Sequence, residues 1–210
     1  STAGSTPDPT LSGRVLYRGD VPPPRPAPPP CTPPPSLLRG ADGGLADVLV
    51  RVADLPGAAP GELEISGDGC VYSPHVAVVP VGTQLVVAND GAELQTFHLR
   101  RLDAGKELQE QNLALPPGKA VLRYPLDRPG RYRVADDVRP WMEAFVWVVP
   151  AGATAITDGS GRFGMDVPAG EWTAELWHPA LGSRLDAFEV PHDGPGSLYV
   201  TWSPAEAGSR

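Results

Sequence analysis

Ala135-Asp136-Asp137-Val138-Arg139-Pro140-Trp141-Met142 lies between the strand-like Arg131-Tyr132-Arg133-Val134 and the apolar run Ala144-Phe145-Val146-Trp147-Val148-Val149. Two such segments, one alternating and one apolar, are expected to be neighbouring strands, and eight residues are enough only for a tight loop. At three-residue steps the loop presents Asp136, Arg139 and Met142. The reading of those three positions decides what kind of β-protein this is.

Working outward, the 210 residues carry 27 prolines and 24 glycines, and long stretches of helical periodicity are few. Short strands and many turns, hence an all-β protein of one or two domains with a real core, are expected. The net charge of −8 argues against nucleic acid or an anionic membrane surface as partner, since both are bound through excess Lys and Arg. No apolar run approaches the roughly 20 residues of a spanning helix, so no transmembrane segment is expected. The start at Ser1-Thr2-Ala3-Gly4-Ser5, without Met, fits either a mature chain whose signal peptide has been removed or a trimmed one. Cys31 and Cys70 form no Cys-x-x-Cys pair; in an exported protein they read as one disulfide, in the cytosol as two buried thiols.

Residues 1–11 are small and polar and are expected to form a flexible N-terminal tail. Strands are expected at 12–19 and 46–53, and between them runs a proline-rich strap, 21–35, in which ten of the fourteen residues from Pro22 are proline. Proline lacks a donor and fixes φ, so this stretch is expected to lie extended on the surface, either as a docking arm for a partner's aromatic groove or as a stiff strap pinned by Cys31. From Cys70 to Pro150 strands recur at sandwich-like spacing: 76–80, 84–88, 96–102, 112–115, 120–126, 130–135 and 143–149. After Pro150 a smaller unit follows, with turns at Asp158-Gly159-Ser160-Gly161 and Pro168-Ala169-Gly170. The expected boundaries are 12–150 for the first domain and 151–210 for the second, and the short Val149–Thr154 connection implies that the two share an interface.

Cys70-x-Tyr72-x-Pro74-His75-Val76, Gly82-Thr83-Gln84-Leu85, Asn89 and Pro140-Trp141-Met142 resemble a group of bacterial exported proteins that includes methylamine-utilisation proteins. In these a plastocyanin-like cupredoxin domain is fused to a carboxypeptidase-regulatory-like domain. The second half matches in turn through Ala155–Phe163, Val167-Pro168-Ala169-Gly170-Glu171-Trp172 and Leu176–Gly182. The resemblance implies a cupredoxin-like Greek-key β-sandwich followed by a smaller prealbumin-like sandwich, a periplasmic or extracellular location and, with it, a Cys31–Cys70 disulfide.

The family's copper pattern is largely replaced. Blue copper needs a thiolate and two imidazoles with a weak axial thioether. Here the upstream imidazole position holds Gln95, the thiolate position Asp136 and the second imidazole position Arg139, leaving only Met142 of the ligand set. Without the thiolate, Met142 reads as a core methionine beside Trp141. His75 and His98 remain and could join Asp136 as two imidazoles and a carboxylate only if three strands converged; a hydrogen-bonded role for His75 is the expected one. Asp136 and Arg139 are expected to pair with each other, with Gln95 as a third polar partner. Asp137, adjacent to Asp136, should face the opposite way. His178 and His192 flank turns without a catalytic partner, and no nucleophile elbow, phosphate loop or zinc-protease motif is present.

The function expected is therefore that of a non-catalytic, metal-free cupredoxin-like accessory subunit, binding other protein subunits of an extracytoplasmic assembly and needing no cofactor. A copper electron carrier with an altered site is the alternative, and a carbohydrate-binding module, permitted by the five tryptophans, a further one.

Overall fold

The computed structural model describes residues 10–103, 106–118 and 121–203. These form sixteen strands and no helix. In chain order they are β1 (Leu11–Tyr17), β2 (Leu49–Val52), β3 (Glu62–Gly67), β4 (Tyr72–Ser73), β5 (Val76–Pro80), β6 (Thr83–Asn89), β7 (Gln95–Asp103) and β8 (Lys106–Leu115). They continue with β9 (Val121–Leu126), β10 (Gly130–Ala135), β11 (Glu143–Val149), β12 (Ala153–Ile156), β13 (Arg162–Met165), β14 (Gly170–His178), β15 (Gly182–Val190) and β16 (Gly196–Trp202). Residues 1–9 of the expected tail, and Ala120 of the expected strand 120–126, lie outside the described residues. Leu11 is no tail residue: it begins β1 and is fully buried.

β3 to β11 make the larger sandwich, a five-stranded sheet in the order β5-β11-β10-β7-β8 over a four-stranded sheet in the order β4-β3-β6-β9. Period-two alternation explains its core. Tyr132 and Val134 on β10, Phe97 and Leu99 on β7, and Ala144, Val146 and Val148 on β11 point at Ile65, Leu85 and Val87 of the facing sheet. The other face of β11 is apolar too: Phe145, Trp147 and Val149 pack on Leu49 and Trp177 of the smaller sandwich. The unbroken 144–149 run is thus a strand buried on both sides.

The boundary expected at residue 150 is wrong in its first half. β1 is the central strand of a sheet ordered β13-β1-β16, parallel to β16 from Leu11↔Gly196 to Tyr17↔Trp202, and β2 sits between β12 and β14 in a second sheet ending at β15. Together these enclose a separate core that includes Leu11, Val15, Val50, Leu176, Val200 and Trp202. The five C-terminal strands alone would leave both sheets without an inner strand, and that gap is what β1 and β2 fill. The larger sandwich is therefore an insertion into the smaller one, between β2 and β12.

The short connection does leave the two sandwiches in contact. Arg131 on β10 is held between the rings of Trp147 and Trp177, its guanidinium carbon 5.5 and 5.4 Å from their centroids, and donates to Glu175 Oε1 at 2.7 Å. Burial lowers the guanidinium pKa, with Glu175 opposing that shift. Residues 21–35 form no strand, and Cys31 is bonded to Cys70 with the Cα atoms 5.1 Å apart. A fragment of residues 151–210 lacks β1 and β2 and is expected to show an unfolded far-ultraviolet circular dichroism spectrum and no cooperative melt. A cooperatively folding fragment would restore the boundary at residue 150.

Candidate functional site

The loop after β10 is built around one carboxylate. Asp136 is almost fully buried, and its Oδ1 accepts from the Val138 amide at 2.7 Å, the Arg139 amide at 3.0 Å and the Thr96 hydroxyl at 3.1 Å. Its Oδ2 accepts from the Thr96 amide at 3.2 Å and from Arg139 Nη1 at 3.4 Å. An ionised carboxylate has about four lone-pair directions, and here they are taken by five donors. The Thr96 hydroxyl in turn accepts from the Asp137 amide at 2.6 Å, tying the loop to β7.

Arg139 is equally engaged: Nη1 donates to Leu94 O at 2.9 Å and Nη2 pairs with Glu93. Gln95 is completely buried but turns away from this pair, donating to Gly67 O at 2.9 Å, while its Oε1 meets no donor. A Cβ at Gly67 would stand 2.3 Å from that oxygen, so glycine is what lets the amide pack there. Gln95 is thus not the third partner of Asp136 and Arg139; Thr96 and Glu93 are, and neither residue stood at a position the loop spacing singled out. Met142 is buried in the core of the larger sandwich, with Trp141 packed against the same cluster. Tyr72 donates to Thr96 O at 2.9 Å, and burial, with Asp136 adding, pushes its phenol up.

The histidines do not converge. His98 lies on the opposite face of β7 from Gln95, its Nδ1 2.9 Å from both oxygens of Asp137, so the neighbouring aspartates do part to opposite sides. Arg100 Nη2 lies 2.7 Å from the same nitrogen, and Nε2 is buried without a partner. Burial works to raise the Asp137 pKa, but the bonds from His98 and Asn112 hold it below the ordinary carboxylate value. His75 Nδ1 is 2.9 Å from Asp47, His178 accepts from the Ala180 amide at 3.1 Å, and His192 is exposed on the turn before β16. Among the described residues no group of three His, Cys, Asp or Glu stands where it could hold a metal ion.

The positions that the resemblance assigns to copper ligands do not fit copper. The carboxylate at the thiolate position has its lone pairs occupied, a guanidinium brings positive charge into the same pocket, and the amide at the imidazole position faces Gly67. Nor do the tryptophans line an exposed face: Trp147, Trp177 and Trp202 are 5%, 3% and 0% exposed, and Trp141 and Trp172 belong to different sandwiches. That removes the observation a carbohydrate-binding module needs.

No family model matches the chain, and no curated protein matches it. Among solved structures it is similar to a purple cupredoxin from Nitrosopumilus maritimus, at 24% identity over 41% of this chain and 98% of that one, with a TM-score of 0.34. It is also similar to a reduced single-residue mutant of amicyanin, at 15% identity over 48% and 98% with a TM-score of 0.36. A third is auracyanin from Roseiflexus castenholzii, at 16% over 45% and 100% with a TM-score of 0.33. The chain is an all-β protein whose larger unit is a β-sandwich of two facing sheets.

Two measurements follow from these contacts. Asp136→Ala removes the acceptor that organises the loop and is expected to cost about 3 kcal/mol of stability in urea, more than Arg139→Ala at about 2 kcal/mol, because the amide donors still solvate Asp136 in the latter. The reverse order would make the ion pair, not the carboxylate cap, the organising contact. Separately, burial pushes the His178 imidazole down to about 4, with Asp47 opposing and His75 adding. The native state thus refuses a proton that the unfolded chain takes below its ordinary 6.5. Stability is full above 6.5 and falls as the pH drops towards 4, by up to about 3 kcal/mol. Urea midpoints across that range should show the decline, and His178→Gln should make it shallower.

Proposed function

We propose that this chain is a non-catalytic, metal-free cupredoxin-like protein, joined to a carboxypeptidase-regulatory-like sandwich, that serves as an accessory binding subunit of an extracytoplasmic protein assembly. One observation carries this reading: the positions that would hold copper are occupied by a self-satisfied network, Asp136 with its five donors and Arg139 with Glu93 and Leu94 O. A carboxylate and a guanidinium that are already satisfied have little left to offer a cation, although Gln95 Oε1 is unpaired beside Gly67.

The Cys31–Cys70 disulfide supports an oxidising compartment, since such bonds persist outside the reducing cytosol. It also weakens the reading as an altered copper carrier, because both cysteines are spent in it and neither can supply a thiolate. The partners proposed are other protein subunits; an acidic chain of this kind suits basic docking surfaces.

Copper loading followed by mass spectrometry and visible spectroscopy tests the reading. The wild-type chain is expected to retain far less than one equivalent and no colour; about one equivalent with a strong visible band would overturn it. The combined change Gln95→His, Asp136→Cys and Arg139→His is expected to bind copper and become coloured. If that variant folds yet stays empty, the loop is not a former metal site.

A further inference from the structure

The proline strap crosses the same end of the larger sandwich as the loop. Arg25 donates to Pro140 O at 2.6 Å and pairs with Glu143 at 3.2 Å, and the Cys31–Cys70 bond fixes the strap six residues further on. Most of residues 22–30 face solvent. The strap lies poorly packed on what it covers. A groove of about 360 Å³, partly open to solvent, is lined by Pro28, Pro30, Cys70, Glu93, Arg139 and Trp141. A smaller one of about 40 Å³, between Arg25, Pro34, Pro35, Tyr72 and Trp141, lies on the other side of the indole.

Gaps of this kind forfeit the dispersion contacts that would hold a segment down without a covalent bond. Prolines donate no backbone hydrogen bonds, and the strap joins no sheet. Beyond Cys31 the chain is anchored by the buried Pro33 and Leu37, so what holds the exposed part, residues 21–30, is one arginine and one disulfide. Beneath it, Trp141 Nε1 is buried and meets no acceptor, so the covered face has an unspent hydrogen-bond donor beside a half-buried indole. Both cysteines are half-buried, not sealed in the core, and so within reach of an attacking thiolate.

We propose that the strap is a disulfide-latched cover over the Trp141 face, opened when an external dithiol reduces Cys31–Cys70. A thiolate of the dithiol attacks one sulfur and forms a mixed disulfide, releasing the other cysteine as a thiol. The second thiol of the donor resolves the mixed disulfide, so two electrons and two protons pass to Cys31 and Cys70 and the donor leaves as its own disulfide. No strap residue is among the partners of Asp136, so opening exposes the Trp141 face without dismantling the sandwich. The proposal is independent of whether any metal binds.

Dithiothreitol followed by iodoacetamide on the full chain, with alkylation of both cysteines confirmed by intact mass, provides the test. The acrylamide quenching of Trp141, isolated as the difference from Trp141→Phe, is expected to rise about threefold on opening, with the β-sheet circular dichroism unchanged. Hydrogen exchange of residues 68–75 should quicken in parallel, and a Cys31→Ser, Cys70→Ser variant should behave as the reduced chain does. Arg25→Ala with the disulfide intact should leave Trp141 protected. The proposal is overturned if quenching and exchange are unchanged after full alkylation. It is equally overturned if reduction collapses the sheet signal, or if Arg25→Ala alone uncovers the indole.

Discussion

Burial of β11 on both faces is the constraint from which the rest of this molecule follows. One face, Ala144, Val146 and Val148, completes the core of the larger sandwich; the other, Phe145, Trp147 and Val149, has no water to turn to and must be covered by something. The smaller sandwich supplies Leu49 and Trp177, and the charged Arg131 is held at that seam by two indoles and Glu175. Taking a guanidinium out of water is costly unless its charge is met, and here the π faces and the carboxylate share that task, while Nε is left buried without a partner. Two units that could have been beads on a string are thereby fixed to one another.

The loop that follows β10 shows how one buried carboxylate can organise a turn. A carboxylate at Asp136 can gather backbone amides as well as a cation, and five donors leave it no unfilled valence. The guanidinium of Arg139 adds a positive charge to the same pocket and spends its remaining donors on Leu94 O and Glu93. The polar groups thus stabilise the turn among themselves.

Strand alternation made the all-β class and most of the strands legible, because a period of two is written directly in the residues. β3 was not: Glu62-Leu63-Glu64-Ile65-Ser66-Gly67 is short and charged, and it is a strand because it lies parallel to β6, a neighbour some twenty residues away. The placing of β1 and β2 was hidden for the same reason, since pairing with β16 and β12 is decided across the whole chain and leaves no local mark. At the loop, the meeting of Asp136 and Arg139 could be read from their three-residue spacing. The turn of Gln95 towards Gly67 could not, because it depends on a missing Cβ on another strand.

The parallel pairing of β1 with β16 has a mechanical meaning. The described chain enters at the start of β1 and leaves at the end of β16, and parallel strands place those two points at opposite ends of the pair. Tension applied at the two ends would load the seven paired positions together, in shear, instead of peeling them one by one. Everything threaded between them, including the larger sandwich and its disulfide, lies outside the path of that force until the pair gives way. A protein anchored at one end and tugged at the other would feel the load in its smallest sheet first.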